Sequence, residues 1–425
     1  MATLGSMKKI TGLLLVFALS MSCSSDDDSR ESSNTNTNGN GNDTEETVTY
    51  DPSAQLSFTP CVNGKAGYFD CNGFDLISHI PLSFFNAGSA NDSWGWTDPM
   101  TAKEYVLLGL SNGTAFIDIS DSENPVYLGK LPSASFSSPW RDIKVYNNYA
   151  FIVSEGENHG MQVFDLTRLR DITNPPASFE MDAHFTNFGG AHNIAINEDV
   201  GYAYVLGSDS FSGGPYFINI QDPLNPIDEG GYGLDNYSHD AQVITYQGPD
   251  TDHTGKEIFF GSNENRFVIV DVTDKANPQN IASVTYLQTG FTHQGWFTQD
   301  QRYFLLGDEF DEIEFGFNAR TIVWDLFDLD NPQFHFNYFG QTSSIDHNGY
   351  VKGNLFYQAN YAGGMRVMDI SDIGSQDIFE IGYFDTYPLN NGTSFDGVWN
   401  VYPFFNSGNI AISDIEKGLF IVRKN

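Results

Sequence analysis

One motif recurs along the whole chain and limits what it can fold into: a run of β-branched and apolar residues that ends on an acid and then turns through Asn-Pro. Phe267-Val-Ile-Val-Asp271 followed by Asn277-Pro278 is the clearest copy. Others are Phe116-Ile-Asp118 with Asn124-Pro125, Val163-Phe-Asp165 with Asn174-Pro175, Phe217-Ile-Asn219 with Asn225-Pro226, Ile322-Val-Trp-Asp325 with Asn331-Pro332, and Val367-Met-Asp369. Leu419-Phe-Ile-Val-Arg423 fits the same frame with a base in the acid slot. The slot falls at 118, 165, 219, 271, 325, 369 and 423, in steps of 47, 54, 52, 54, 44 and 54 residues. Seven units at this period are a repeat architecture.

Each unit reads as four strands. In one of them Asp142 to Tyr146 is followed by an Asn147-Asn148 hairpin turn, Tyr149 to Val153, Met161 to Asp165, and Ala177 to Met181. Four antiparallel strands repeated seven times define an all-β, seven-bladed β-propeller. The last unit stops after its third strand, at Leu419 to Val422. Leu76 to Leu82, ahead of the first full unit, has no repeat of its own. As the outer strand of the last blade it closes the ring and removes two sheet edges, with Pro81 tolerated there. The propeller is expected over 76–425.

Abundant Phe (35), Tyr (21) and Gly (41) suit such a chain. Lys and Arg number 20 against 55 Asp and Glu, a net charge of −35. That excludes nucleic acid as a partner, because phosphate contacts need basic side chains. It suits a solvated extracellular surface, or one that attracts cations.

Residues 1–22 read as a signal peptide, with translation starting in effect at Met7: Lys8 and Lys9, an apolar stretch to Met21 too short to span a bilayer, then Ser22-Cys23. This resembles a bacterial lipoprotein signal, with Cys23 as the lipidated residue. Residues 23–50 are polar and acidic and form a disordered tether, reaching on the order of 30 Å. The acids at 26–28 resemble the export signal that takes lipoproteins to the outer face of the outer membrane. Membrane contact is therefore expected through the lipid alone, with a monomeric domain facing the exterior. Within 51–75, Cys61 and Cys71 flank a Gly-containing loop and are expected to form a disulfide.

Ser238-His-Asp-Ala-Gln-Val, Thr292-His-Gln-Gly-Trp296, Asp346-His-Asn-Gly-Tyr350, Tyr383-Phe-Asp-Thr-Tyr-Pro388 and Ser413-Asp-Ile-Glu-Lys-Gly418 resemble the LVIVD-repeat proteins, specifically the choice-of-anchor B family. The resemblance covers 58–425. It implies a propeller at the cell surface and no established activity.

A second position repeats at the start of the innermost strands: Arg141-Asp142, His192-Asn193, His239-Asp240, His293-Gln294, His347-Asn348, Phe395-Asp396 and, in the first blade, Ser93-Trp94. Innermost strands line the channel, so these residues gather at one mouth. Either they bond blade to blade, or His192, His239, His293 and His347 hold a transition metal with carboxylate help. Links from fourth to next first strand, and from second to third strand, open on that same face. They vary in sequence, as binding loops on a rigid scaffold do. One carries Asp308, Glu309, Asp311, Glu312 and Glu314, an oxygen-rich set suited to calcium.

No nucleophile elbow, phosphate loop, dinucleotide fingerprint or zinc-protease helix motif is present in the sequence. The residues favour a surface-exposed binding module for a glycan, peptide or protein. The alternative is a metal-dependent cell-surface hydrolase or lyase centred on the four histidines.

Overall fold

The computed structural model describes residues 49–425. The signal peptide, Cys23 and nearly all of the tether lie outside them. Seven antiparallel sheets follow one another around an axis. Their innermost strands are Ala90–Thr97, Arg141–Tyr146, Asn193–Asn197, Asp240–Thr245, Thr292–Phe297, Gly349–Lys352 and Val398–Tyr402, which define blades one to seven.

The apolar runs are third strands, and the ring explains why they do not alternate with polar residues. Each blade is covered on both faces by its neighbours. Val268 and Val270 pack with Tyr204 and Phe217 of the preceding blade. Phe267 and Ile269 pack with Phe304 and Trp324 of the following one. All four are fully buried. The acid slot has a local cause. Asp118, Asp165, Asn219, Asp271, Asp325 and Asp369 each accept a hydrogen bond from the backbone N–H two residues on, at 2.8–3.1 Å. Such Asx turns end the strand and start the crossing to the fourth strand.

The ring closes as the sequence implies. Phe74–Pro81 pairs antiparallel with Gly418–Lys424, so the outermost strand of blade seven comes from the N-terminal side. Before it, the Cys61–Cys71 disulfide is formed. Phe69–Asn72 adds a fifth strand to blade six, and Lys65–Ala66 a sixth.

Blade two departs from expectation. Its fourth strand is Ala183–Phe185, paired with Met161–Val163. Ala177–Ser178, expected in that place, instead pairs in parallel with Gly129 and Lys130 of blade one. Gly129 permits this, because a Cβ there would lie 2.1 Å from the Ala177 carbonyl oxygen. Phe179 then wedges against Phe116 and Phe164, at 5.5 and 5.1 Å between ring centres, and binds the two blades together. Among the described residues no helix is long and apolar enough to cross a membrane.

Candidate functional site

The innermost strands start at one mouth of the channel, and two layers of side chains follow in turn there. The deeper layer links blade to blade. Asp142 accepts from Ile194 N–H at 2.8 Å, Asn193 Nδ2 donates to His239 O at 2.9 Å, and Gln294 accepts from Gly349 N–H at 3.0 Å. Asn348 donates to Asn400 Oδ1 at 3.3 Å, and Asn400 donates to Asp92 and to Ser93 O. Blades one and seven therefore contribute Asp92 and Asn400. Ser93-Trp94 and Phe395-Asp396 sit elsewhere. Bulges between Ala90 and Ser93, and between Val398 and Asn400, shift the register there. Phe395 stays exposed in the link before blade seven, packed on Phe310 and Tyr361.

Lys144 is the cation of this layer, 2.5 Å from Asp142 and 3.8 Å from Asp92. Burial and the neighbouring Asp142 push the Asp92 carboxyl well up. Burial works the same way on Asp142, but Lys144 and a bond from Asp92 hold it below its ordinary value. Burial raises Asp240 to about 7, against the pull of Lys144 and a hydrogen bond from Ala241 N–H. Arg141 is also structural: it donates to Leu110 O and Ser133 Oγ and contacts His159, tying blade two to blade one.

The layer nearer the mouth is different. His192, His239, His293 and His347 stand in an arc with successive ring centres 4.2, 4.3 and 4.3 Å apart. Three have one nitrogen fixed. His192 Nδ1 meets Glu155 Oε1 at 2.6 Å, His239 Nδ1 meets His293 O at 3.2 Å, and His347 Nδ1 meets Trp399 O at 2.6 Å. Carbonyl oxygens accept, so His239 and His347 carry the proton on Nδ1 and keep the lone pair on Nε2. His293, only 1% exposed, has no protein partner on either nitrogen. Leaving a buried polar group unpaired costs about 1–3 kcal/mol. Burial drives His239 and His293 well below the ordinary imidazole value, and takes His347 to about 3. These imidazoles are neutral.

The acidic loop splits in four. Asp308 turns back on its own blade and accepts from Gly290 and Phe291 N–H. Glu314 faces solvent. Asp311 and Glu312 are buried beside Asp346 and bring three oxygens within 4.8 Å of one another, with Arg320 paired to Asp311. Burial and mutual repulsion raise Asp311 to about 9, and burial raises Glu312 to about 7. Glu309 alone joins the histidines. Its carboxylate lies 3.9 Å from His293 Nε2 and 3.8 Å from His347 Nε2, and accepts from the Tyr361 hydroxyl at 2.8 Å. Burial lifts it to about 7, against the pull of that hydroxyl. Asp250, His253 and Asp330 form a third, more exposed donor group.

Sequence reasoning named Glu309 and the histidines but placed them in separate sites. Tyr361, Asp346 and Asn400 it did not single out for the site. Asp346 directly precedes the repeated position at His347, which is the signal that was available for it. It also passed over the other mouth. There a cavity of about 420 Å³ is lined by Trp94, Trp296, Tyr402 and Phe404 with Lys144, Asn197 and Glu198.

The fold is that of a seven-bladed β-propeller. The LVIVD repeat model matches residues 140–159 and 258–285. Among solved structures, the β-propeller domain of Cps50 (Swd1) from Myceliophteria thermophila is similar at 9% identity, covering 83% of this chain and 99% of that one, with a TM-score of 0.55. A protein from Lactobacillus plantarum is similar at 10% identity over 77% and 89% of the two chains, with a TM-score of 0.51. A functionally unknown protein from Desulfotomaculum acetoxidans is 12% identical over 77% and 90%, with a TM-score of 0.50. These similarities concern the fold. No curated protein shows significant similarity to the chain.

Proposed function

We propose that this protein is a surface-displayed binding module, held to the outer membrane by a lipid on Cys23, whose histidine-bearing face docks a partner protein. One observation carries the reading. The four most exposed large apolar side chains among the described residues are Phe136, Leu287, Leu389 and Leu234, at 90, 87, 84 and 83%. All four sit in links from a fourth strand to the next first strand, between Pro132 and Arg141, Val284 and Thr292, Asp385 and Val398, and Gly231 and Asp240. They therefore ring the same mouth, on a scaffold whose core would not need them.

Exposed apolar groups gathered on one face mark association surfaces. Three of the four tips are leucines, which supply contact area and no stacking plane, and that balance favours a protein over a glycan. The chain's net charge of −35 favours a partner with a basic surround. A photo-crosslinking residue at Leu234 or Leu287, in intact cells, should join the chain to one defined protein, and the same residue at Met100 should not. Equal crosslinking at both places would refute the reading. The opposite mouth supports a second, smaller role: an aromatic-lined cavity of about 420 Å³ with Lys144 and Glu198 suits a sugar-sized ligand. Trp94→Ala should then abolish binding on a glycan array.

A further inference from the structure

We propose that His293, Glu309 and His347 are the ligands of a divalent first-row transition ion at the upper mouth of the channel. The three donor atoms lie within 4.8 Å of one another and all three residues are buried. The His–Glu separations of 3.8 and 3.9 Å are too long for hydrogen bonds. A buried carboxylate thus faces two imidazole nitrogens and bonds to neither.

An ion between them resolves this. Tetrahedral bonds of about 2.0–2.1 Å require donors roughly 3.3 Å apart, so the two His–Glu pairs, at 3.8 and 3.9 Å, have to close by about half an ångström and the donor set as a whole, within 4.8 Å, has to contract onto the ion. His347 is already in the ligating tautomer, because its Nδ1–H is spent on Trp399 O at 2.6 Å. Glu309 is oriented by the Tyr361 hydroxyl at 2.8 Å. Outer bonds of this kind, carbonyl to imidazole and hydroxyl to carboxylate, are what metal ligands carry. His293 has no protein partner on either nitrogen although buried, so its ring is free to turn toward the ion.

Two imidazoles and one carboxylate favour zinc, iron or copper over calcium or magnesium. Three protein ligands leave a coordination position for an exchangeable group. His239, the next imidazole in the arc at 4.3 Å, and Trp399 border the same narrow space.

The test uses the full chain, purified, stripped with a chelator and titrated with Zn²⁺ by calorimetry, with bound metal counted by elemental mass spectrometry. One equivalent per chain with sub-micromolar affinity is expected. Tyr361→Phe should weaken binding about 10–100-fold, as loss of an outer partner does. Glu309→Gln, which keeps the side chain's shape, should weaken it further, and His293→Ala with His347→Ala should remove it. Metal-free melting temperatures show whether each variant is folded, and Glu309→Gln decides the matter if the double variant is not. No stoichiometric zinc, or zinc held as tightly by Glu309→Gln as by the wild type, would overturn the assignment. The second result would mean binding by surface carboxylates only.

Discussion

In four consecutive blades a histidine is followed directly by Asn, Asp or Gln, and the two positions differ in nearly every respect. Asn193, Gln294 and Asn348 reach the next blade and are satisfied there. Their neighbours His192, His239 and His347 spend one nitrogen on orientation and leave the other open, and His293 leaves both. One residue along a strand reverses the side chain's direction and moves it about 3.3 Å along the axis. That is enough to separate a fastening from a donor set. A repeated polar dipeptide thus yields both the structural and the chemical reading, one from each member.

The comparison breaks or sharpens under substitution. The largest effect should come from the deeper layer's cation. Lys144→Met strands the Asp142 carboxylate as an uncompensated buried charge and should cost about 3–5 kcal/mol in denaturant unfolding. Gln294→Ala removes the acceptor for the buried Gly349 N–H and should cost about 1–3 kcal/mol by the same measurement.

A smaller, pH-dependent effect is expected beside the arc. The Glu312 carboxyl, grouped with Asp311 and Asp346, is raised by burial to about 7 in the fold. A raised carboxyl makes the folded state bind protons that the unfolded chain has released, so its contribution falls as pH rises from about 4 toward 7. Glu312→Gln should therefore raise the melting temperature relative to wild type near pH 8, and lose that advantage near pH 4.

The smallest effect is the most telling. His293→Leu, one residue from Gln294, removes two nitrogens without protein partners and should change metal-free stability by less than about 1 kcal/mol. A cost as large as that of Gln294→Ala would erase the distinction between the layers.

Much of the ring was legible because its causes are local. The acid slot is an Asx turn within three residues, and apolar runs without alternation follow from blades buried on both sides. The disulfide pair and the closing strand could be read from the chain's own arithmetic. Less was legible wherever the backbone slips. In blade seven Phe395-Asp396 falls in the link ahead of the first strand, which begins at Val398, so the ring position is Trp399-Asn400, and in blade one it is Asn91-Asp92 in place of Ser93-Trp94. Ala177 to Met181 looked like a fourth strand by composition, yet crossed to blade one where Gly129 let its carbonyl approach. Asp308, Glu309, Asp311 and Glu312 looked like one acidic loop, and a single turn of helix over Asp311–Phe315 sent their side chains to different places.

By itself the sequence determined the number of blades and the way the ring closes, because these depend on a period and on contacts a few residues apart. Only the tertiary structure decided that Glu309 of blade five meets His347 of blade six under Tyr361, while Asp308 does not. That choice depends on the pitch between neighbouring blades and on one-residue bulges, and neither leaves a mark on a linear pattern.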